Sequence, residues 1–289
     1  MNFHLIHNIL RKTRSNFHEN VLNYFILVYR NLANNQNVIL THGEKLLSQK
    51  LAMIKMNVID AGARTDTFLA EVFQGQDEFK IYLVEPNPKF CNVLRKKIKD
   101  KALKNTILIE LAVGDCEGEF VYYRNSQSLL PRNVYGKKHD LKRLNKTVQV
   151  TTLDLLVRRE NIQFPLFIKT DLEMYDYLAL IGGQQSINNI AIAVQFELGL
   201  ETNVVSKKLK IHDFIDLFRG NWLFFLLHDV NNSFLQNING SGTPMIRLEP
   251  KNYETIEAAI TEGLTFNLVA IRPELENTLS DLIANDLSF

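Results

Sequence analysis

The sequence predicts an α/β protein built on a doubly wound, mostly parallel sheet of about seven strands, with a helical extension at its N-terminus. Three observations carry this expectation. From Asn57 onward, short apolar runs alternate with stretches of helical length. The runs are almost unbroken in apolar residues, which marks strands buried on both faces between helix layers. Several of them end in an acidic residue, at the edge where an open parallel sheet binds its ligands.

Residues 1–52 carry helical spacing, with Phe17, Val21, Tyr24, Phe25 and Val28 on one stripe and Leu46, Leu47, Leu51 and Ile54 on another. Asn34-Asn-Gln-Asn breaks the two. This segment is expected to form a helical cap or an oligomer contact, and residues 53–289 the main domain. The strand candidates are Val58–Asp60, Ile81–Glu85, Ile107–Leu111, Leu166–Asp171, Ala191–Glu197, Trp222–Leu227 and Phe266–Ile271. The first five leave room for crossover helices. An Asn-, Gly- and Ser-rich loop (Asn231–Thr243) and a helical stretch (Tyr253–Glu262) separate the last two, which suggests an antiparallel edge strand. Within 120–152, Phe120–Tyr123 and Thr147–Thr151 read as short extra strands flanking the polar, basic insertion 124–146, placed to shape access to a ligand edge.

Composition narrows the class. The net charge of +1 gives no global attraction to nucleic acid or anionic membrane. Basic residues cluster at Arg95–Lys104 and Lys137–Lys146, patterns that solvated helix faces and loops commonly carry. The two cysteines, Cys91 and Cys116, imply neither a disulfide framework nor a metal site, and fit a reducing compartment. The N-terminus lacks the pattern of a signal peptide. Val21–Tyr29 is far short of the roughly 20 apolar residues that span a bilayer. A cytoplasmic protein without a membrane span is expected, binding a small molecule or glycan rather than nucleic acid.

The strand Val58-Ile-Asp60-Ala-Gly62-Ala63 and the next one, ending in Glu85-Pro86, describe a nucleoside-binding crossover. Gly62 lets backbone approach a ligand closely. Glu85 is placed to accept from two ribose hydroxyls, by the logic of dinucleotide folds. No G-x-G-x-x-G is present, so there is no pyrophosphate cradle and a nicotinamide or flavin enzyme is disfavoured. The acids Asp60, Glu85, Asp115, Asp171 with Glu173, and Glu197 all stand at strand ends. A nucleoside with a cationic centre and an amino-acid tail accounts for them, and S-adenosylmethionine is such a ligand. Asp60 would meet the ammonium group, Asp115 the adenine amine, while Asp171 and Glu173 sit where the methyl group would point. Each acid alone is equally readable as a helix cap or turn residue.

Six blocks together resemble the FkbM-type methyltransferases: Val58–Ala63; Val84-Glu-Pro-Asn-Pro88 with Phe90; Leu111-Ala-Val-Gly-Asp115 with Gly118 and Phe120; Val150–Leu156; Phe167–Glu173; and Gln195-Phe-Glu197. The resemblance implies a Rossmann-like methyltransferase sheet, S-adenosylmethionine as cofactor, and O-methylation of a hydroxyl on a sugar, glycan or secondary metabolite. On this basis Asp60, Gly62, Ala63, Glu85, Pro86, Asp115 and Asp171 are the expected cofactor residues. Asp171, Glu173 and Glu197 are the expected catalytic ones, with no metal.

Two positions depart from the family pattern. Asp-x-Gly-x-Asn-x-Gly becomes Asp60-x-Gly62-x-Arg64-x-Asp66, and the Gly-x-Glu after Glu173 becomes Met174-Tyr-Asp176. Asp66 could instead cap the following helix. A non-catalytic binding or scaffold protein that keeps the fold is therefore the alternative reading. His228 and His139 are further candidates to meet an acceptor. Lys169, inside a strand, is expected to meet a carboxylate, because a buried unpaired charge is costly.

Overall fold

The computed structural model describes residues 42–123, 144–172, 175–199, 209–227, 244–261 and 265–284. The chain divides into two compact units, Met1–Leu40 and Thr41–Phe289, and every described residue belongs to the second. In chain order its elements are α1 (His42–Leu51), β1 (Asn57–Ala61), α2 (Phe68–Val72), β2 (Ile81–Val84), α3 (Pro88–Asp100), β3 (Thr106–Ile109), β4 (Ala112–Val113), β5 (Gly118–Tyr123), β6 (Leu144–Thr151), α4 (Leu153–Arg159), β7 (Leu166–Thr170), α5 (Asp176–Ile181), α6 (Gln184–Asn189), β8 (Ala191–Leu198), α7 (Ile211–Ile215), β9 (Leu223–Leu227), β10 (Met245–Arg247), α8 (Tyr253–Thr261), β11 (Phe266–Ile271) and β12 (Ile283–Ala284).

All seven strand candidates are strands of one sheet, whose order among the described residues is β12-β10-β9-β11-β8-β7-β1-β2-β3. The block β8-β7-β1-β2-β3 is parallel throughout. This is the doubly wound, Rossmann-like arrangement the sequence predicts. Beside this block the strand directions are mixed: β11 lies between β8 and β9, antiparallel to both, and β10 with the edge strand β12 also runs antiparallel to the block. The β11 residues Phe266, Leu268, Val269, Ala270 and Ile271 are all buried. An edge position would leave that apolar strand half covered, with unpaired backbone groups exposed. The short β10 and β12 extend the sheet beyond the predicted strands. A second sheet, β4-β6-β5, contains the two extra strands expected around the basic insertion.

The sheet's two faces are covered by different helices. Ile59, Ile168, Val194 and Phe196 pack with α4 to α8 through Leu153, Leu180, Ile187, Phe214 and Ile256. Val58, Leu83, Phe167, Ala193 and Phe225 pack with α1, α2 and α3 through Leu47, Leu51, Leu69 and Leu94. The alternation follows the pleat, with successive residues of β1 facing opposite layers. Capping fixes where the helices begin. Asn87 accepts from Lys89 N–H at 3.0 Å at the start of α3, and Thr152 accepts from Leu155 N–H at 3.1 Å at the start of α4. Among the described residues no helix is long and apolar enough to cross a membrane.

Helix α1 comes from the segment expected to form an N-terminal cap over the sheet or an oligomer contact, and its Leu47 and Leu51 are fully buried against the sheet. Truncating Leu47 to Ala is expected to cost about 2–5 kcal/mol. Urea unfolding of the full chain checks this, and an unchanged midpoint would detach α1 from the core.

Candidate active site

β1 ends at Ala61 and the chain turns at Gly62, whose φ is +92°. A Cβ there would stand 2.1 Å from the carbonyl oxygen of Asp171. Both the dihedral and the contact therefore demand glycine. From the other side, the N–H groups of Gly62 and Ala63 donate to Val84 O at 2.9 and 3.2 Å. The turn is thus wedged between the tips of β2 and β7, and Ala63 is buried within it.

Glu85 follows β2 directly. Its buried carboxylate accepts from two backbone donors: Arg64 N–H on Oε2 at 3.0 Å and Asn87 N–H on Oε1 at 2.7 Å. The Cys91 thiol donates to its carbonyl oxygen at 3.0 Å. Each carboxylate oxygen retains a lone pair for an incoming hydroxyl. Burial pushes the Glu85 carboxyl up to about 7, against the pull of those two N–H groups. Pro86, half-buried, leads from it into the cap of α3.

Asp60 and Lys169 are cross-strand neighbours on β1 and β7, with Gln195 next in line on β8. Asp60 is buried, and its Oδ1 has no hydrogen-bond partner among the described residues. Lys169 Nζ lies 3.9 Å from that oxygen and 3.5 Å from Asp171 Oδ2. The lysine meets carboxylates, as its burial requires. Desolvation alone would push it down, but Asp171, Asp60, Glu44 and Asp66 outweigh burial and hold it above the usual lysine range. Burial raises Asp60 to about 6, with Lys169 pulling the other way.

The other expected residues fall into three groups. Asp171 is about half exposed (49%) at the tip of β7, and Glu197 is partly buried near the end of β8. Asp115 does not share their sheet edge. It follows β4 of the smaller sheet and is exposed there, because the chain leaves the main sheet after β3. Glu173, Met174, His139 and His228 lie outside the described residues.

Two residues have roles that local pattern did not reveal. Asp176 is fully buried, and accepts from Leu172 N–H at 3.1 Å and Glu197 N–H at 3.4 Å, tying the tips of β7 and β8 together. Asp154, in the Thr-Thr-Leu-Asp block, accepts from Gln185 and Ser186 N–H at 3.1 and 2.7 Å, joining α4 to α6. Asp66 behaves as its capping reading expects, with Oδ1 accepting from Phe68 N–H at 3.0 Å. Its φ is not positive, so the backbone there does not require glycine. Among the described residues no group of three or more His, Cys, Asp or Glu could hold a metal ion.

A glycine turn wedged between parallel strand tips, with a backbone-braced acid beside it, thus stands at the carboxyl edge of a doubly wound sheet. The sequence model of the methyltransferase FkbM domain matches residues 60–224, more than half of the chain, and the chain belongs to this family. The solved methyltransferase FkbM from Methylobacillus flagellatus KT is similar at 15% identity, over 61% of this chain and 40% of that one, with a TM-score of 0.41. The chain thus spans about two fifths of that structure's length. A SAM dependent methyltransferase from Aquifex aeolicus is similar at 11% identity, over 84% and 95% of the two chains, with a TM-score of 0.37. The cofactor-bound Rv0187 from MTB is similar at 11% identity, over 85% and 86%, with a TM-score of 0.41. No curated protein matches.

Asp176 supplies a test of the strand-tip geometry. Burial raises its carboxyl to about 6 from an ordinary 3.8, so the folded state keeps this proton longer than the unfolded one. Its contribution to stability is present below about pH 4 and is lost as pH rises through about 6. Asp60 and Glu85 shift in the same direction and remain in the variant. The fall in stability between about pH 4 and pH 7 is expected to be smaller in Asp176→Asn than in the wild type. Urea midpoints at both pH values decide; equal falls would show that Asp176 does not titrate in this window.

Proposed function

We propose that this protein is an S-adenosylmethionine-dependent methyltransferase acting on a hydroxyl of a sugar, glycan or secondary metabolite. One observation carries the reading of the site: a glycine turn flanked by two buried acids, Asp60 with an oxygen that accepts no hydrogen bond among the described residues and Glu85 preset by two backbone N–H groups. The residues present fit the cofactor. Gly62 lets the turn pass against the Asp171 carbonyl, which brings the tips of β1 and β7 together beside Glu85. Glu85 offers two acceptor oxygens to a ribose diol. Asp60 offers a carboxylate to an ammonium group. The ionised surroundings are negative on balance, with Glu44, Asp60, Asp66 and Asp171 around the single ammonium of Lys169. Such a site favours a cationic ligand.

When bound, S-adenosylmethionine supplies an electrophilic methyl group. The chain's own contribution is to align the acceptor oxygen with that carbon, exclude water and take up the hydroxyl proton. Alignment carries most of the rate gain. A positioned base adds about 10²–10⁴-fold. Of the described base candidates Asp171 is the more exposed, and Glu197, whose backbone N–H is held by Asp176, lies near the end of the neighbouring strand. Glu173 completes the proposed acidic set. In the methyl transfer the acceptor's new C–O bond would replace the donor's C–S bond, and a carboxylate of this edge would take the hydroxyl proton. Support for O-methylation comes from the family and from carboxylates suited to a hydroxyl proton.

Calorimetric titration with S-adenosylhomocysteine tests the site. Micromolar binding is expected in the wild type, lost in Glu85→Ala. A ribose grip needs the ionised carboxylate, so affinity should weaken about 10-fold between pH 8 and pH 6, as the group titrates near 7. Glu85→Gln should flatten that dependence. A folded wild type that binds nothing at either pH would move the protein to the scaffold reading.

A further inference from the structure

The polar row beneath the strand tips extends to a helix that the family match does not reach. Asp60, Lys169 and Gln195 stand side by side at one register level on β1, β7 and β8. By the alternation of the pleat they share the sheet face of Val58, Phe167 and Ala193, the face covered by α1. Gln195 is 1% exposed, and its Nε2 donates to Oε1 of Glu44 on α1. Glu44 is itself buried, at 6% exposure. It precedes the matched residues 60–224.

Lys169 explains why this row matters. Its flexible four-carbon stem ends in an ammonium held by Asp60 at 3.9 Å and Asp171 at 3.5 Å. Both separations exceed a normal hydrogen bond. Left to these two partners, the ammonium could drift toward the exposed rim and Asp171. Glu44, in contact with the neighbouring Gln195 and a third carboxylate whose charge acts on this ammonium, opposes that drift. The amide of Gln195 keeps Glu44 in place while occupying the adjacent position on β8. Oδ1 of Asp60, 3.9 Å from that ammonium, accepts no hydrogen bond among the described residues.

We propose that Glu44 is a positioning residue of the methyl-donor site, acting through Gln195 and Lys169 to fix Asp60 where the cofactor's ammonium group would meet it. The inference rests on the reading of the site given above. It makes α1 part of the cofactor site as well as of the core.

Calorimetric titration of the full chain with S-adenosylhomocysteine tests it, using wild type, Glu44→Ala, Glu44→Gln, Asp60→Asn and the Asp60→Asn/Glu44→Ala double variant. Glu44→Ala should weaken binding about 10-fold, the weight of one hydrogen bond to a charged group. Glu44→Gln keeps an acceptor for Gln195 and should stay within about 3-fold of wild type. In the Asp60→Asn background, Glu44→Ala should cost nothing further, because its effect runs through Asp60. A purely structural helix clamp would give the same loss in both backgrounds, and that result overturns the proposal. So does wild-type affinity in Glu44→Ala. Circular dichroism and thermal melting confirm that each variant is folded. If Glu44→Ala is not, Gln195→Leu removes the same contact from the other side and is read by the same comparison. A wild type without binding sinks both this proposal and the site reading, whereas a binding wild type with indifferent variants sinks this one alone.

Discussion

A single buried ammonium organises the heart of this structure. Lys169 sits in the middle of a parallel sheet with its side chain only 12% exposed. An unpaired charge in that position would cost several kcal/mol. The fold answers with carboxylates from four different places: β1, the turn after it, the tip of β7, and helix α1. Four acids around one base leave an excess of negative charge. Two of those acids, Asp60 and Glu44, are themselves buried, so the excess persists only because it is spread over a strand, a turn and a helix.

Above that buried row lies the rim, where backbone geometry does most of the specifying. Gly62 touches the carbonyl of Asp171, so the first and fourth parallel strands of the chain's βα pattern are locked tip to tip. Glu85 is held by two N–H groups from the turns that flank it, and Asp176 holds the N–H groups of Leu172 and Glu197. Each brace uses a carboxylate to satisfy backbone donors that would otherwise be buried unpaired. The acids near this edge therefore divide by their partners. Glu85 and Asp176 brace the backbone, Asp60 faces Lys169 with one oxygen that accepts no hydrogen bond among the described residues, and Asp171 reaches solvent. Residue type alone does not distinguish them.

That division explains what the sequence could and could not disclose. The seven main strands were legible because each is a continuous apolar run, a local property. Gly62, Glu85 and Asp60 were legible because their meaning follows from position at a strand end. β10 and β12 are too short, at three and two residues, to carry a periodic signal. The insertion of β11 between β8 and β9 depends on which edge can cover its apolar residues, a competition among distant segments. Asp115 looked like one more tip because its block ends like the others, but its strand belongs to the smaller sheet. The Glu44 to Gln195 contact spans 151 residues of sequence. The burial of Asp176 reflects long-range packing in the same way, and neither residue type nor spacing announces it.

The departure at residue 66 can be weighed on the same physical terms. A glycine in a ligand turn can be required for its dihedral, for its lack of bulk, or for both, and Gly62 shows both requirements together. Asp66 shows no positive φ, and its carboxylate is turned back onto Phe68 N–H, where it starts helix α2. The extra side chain thus has a local partner of its own. Lys97 Nζ donates to Thr65 O at 2.6 Å and ties the same turn to α3. What Asp66 adds to the site is charge rather than strain, and it adds it to the carboxylates that already surround Lys169. The substitution therefore adds a carboxylate to the group acting on Lys169 and puts no positive φ at residue 66.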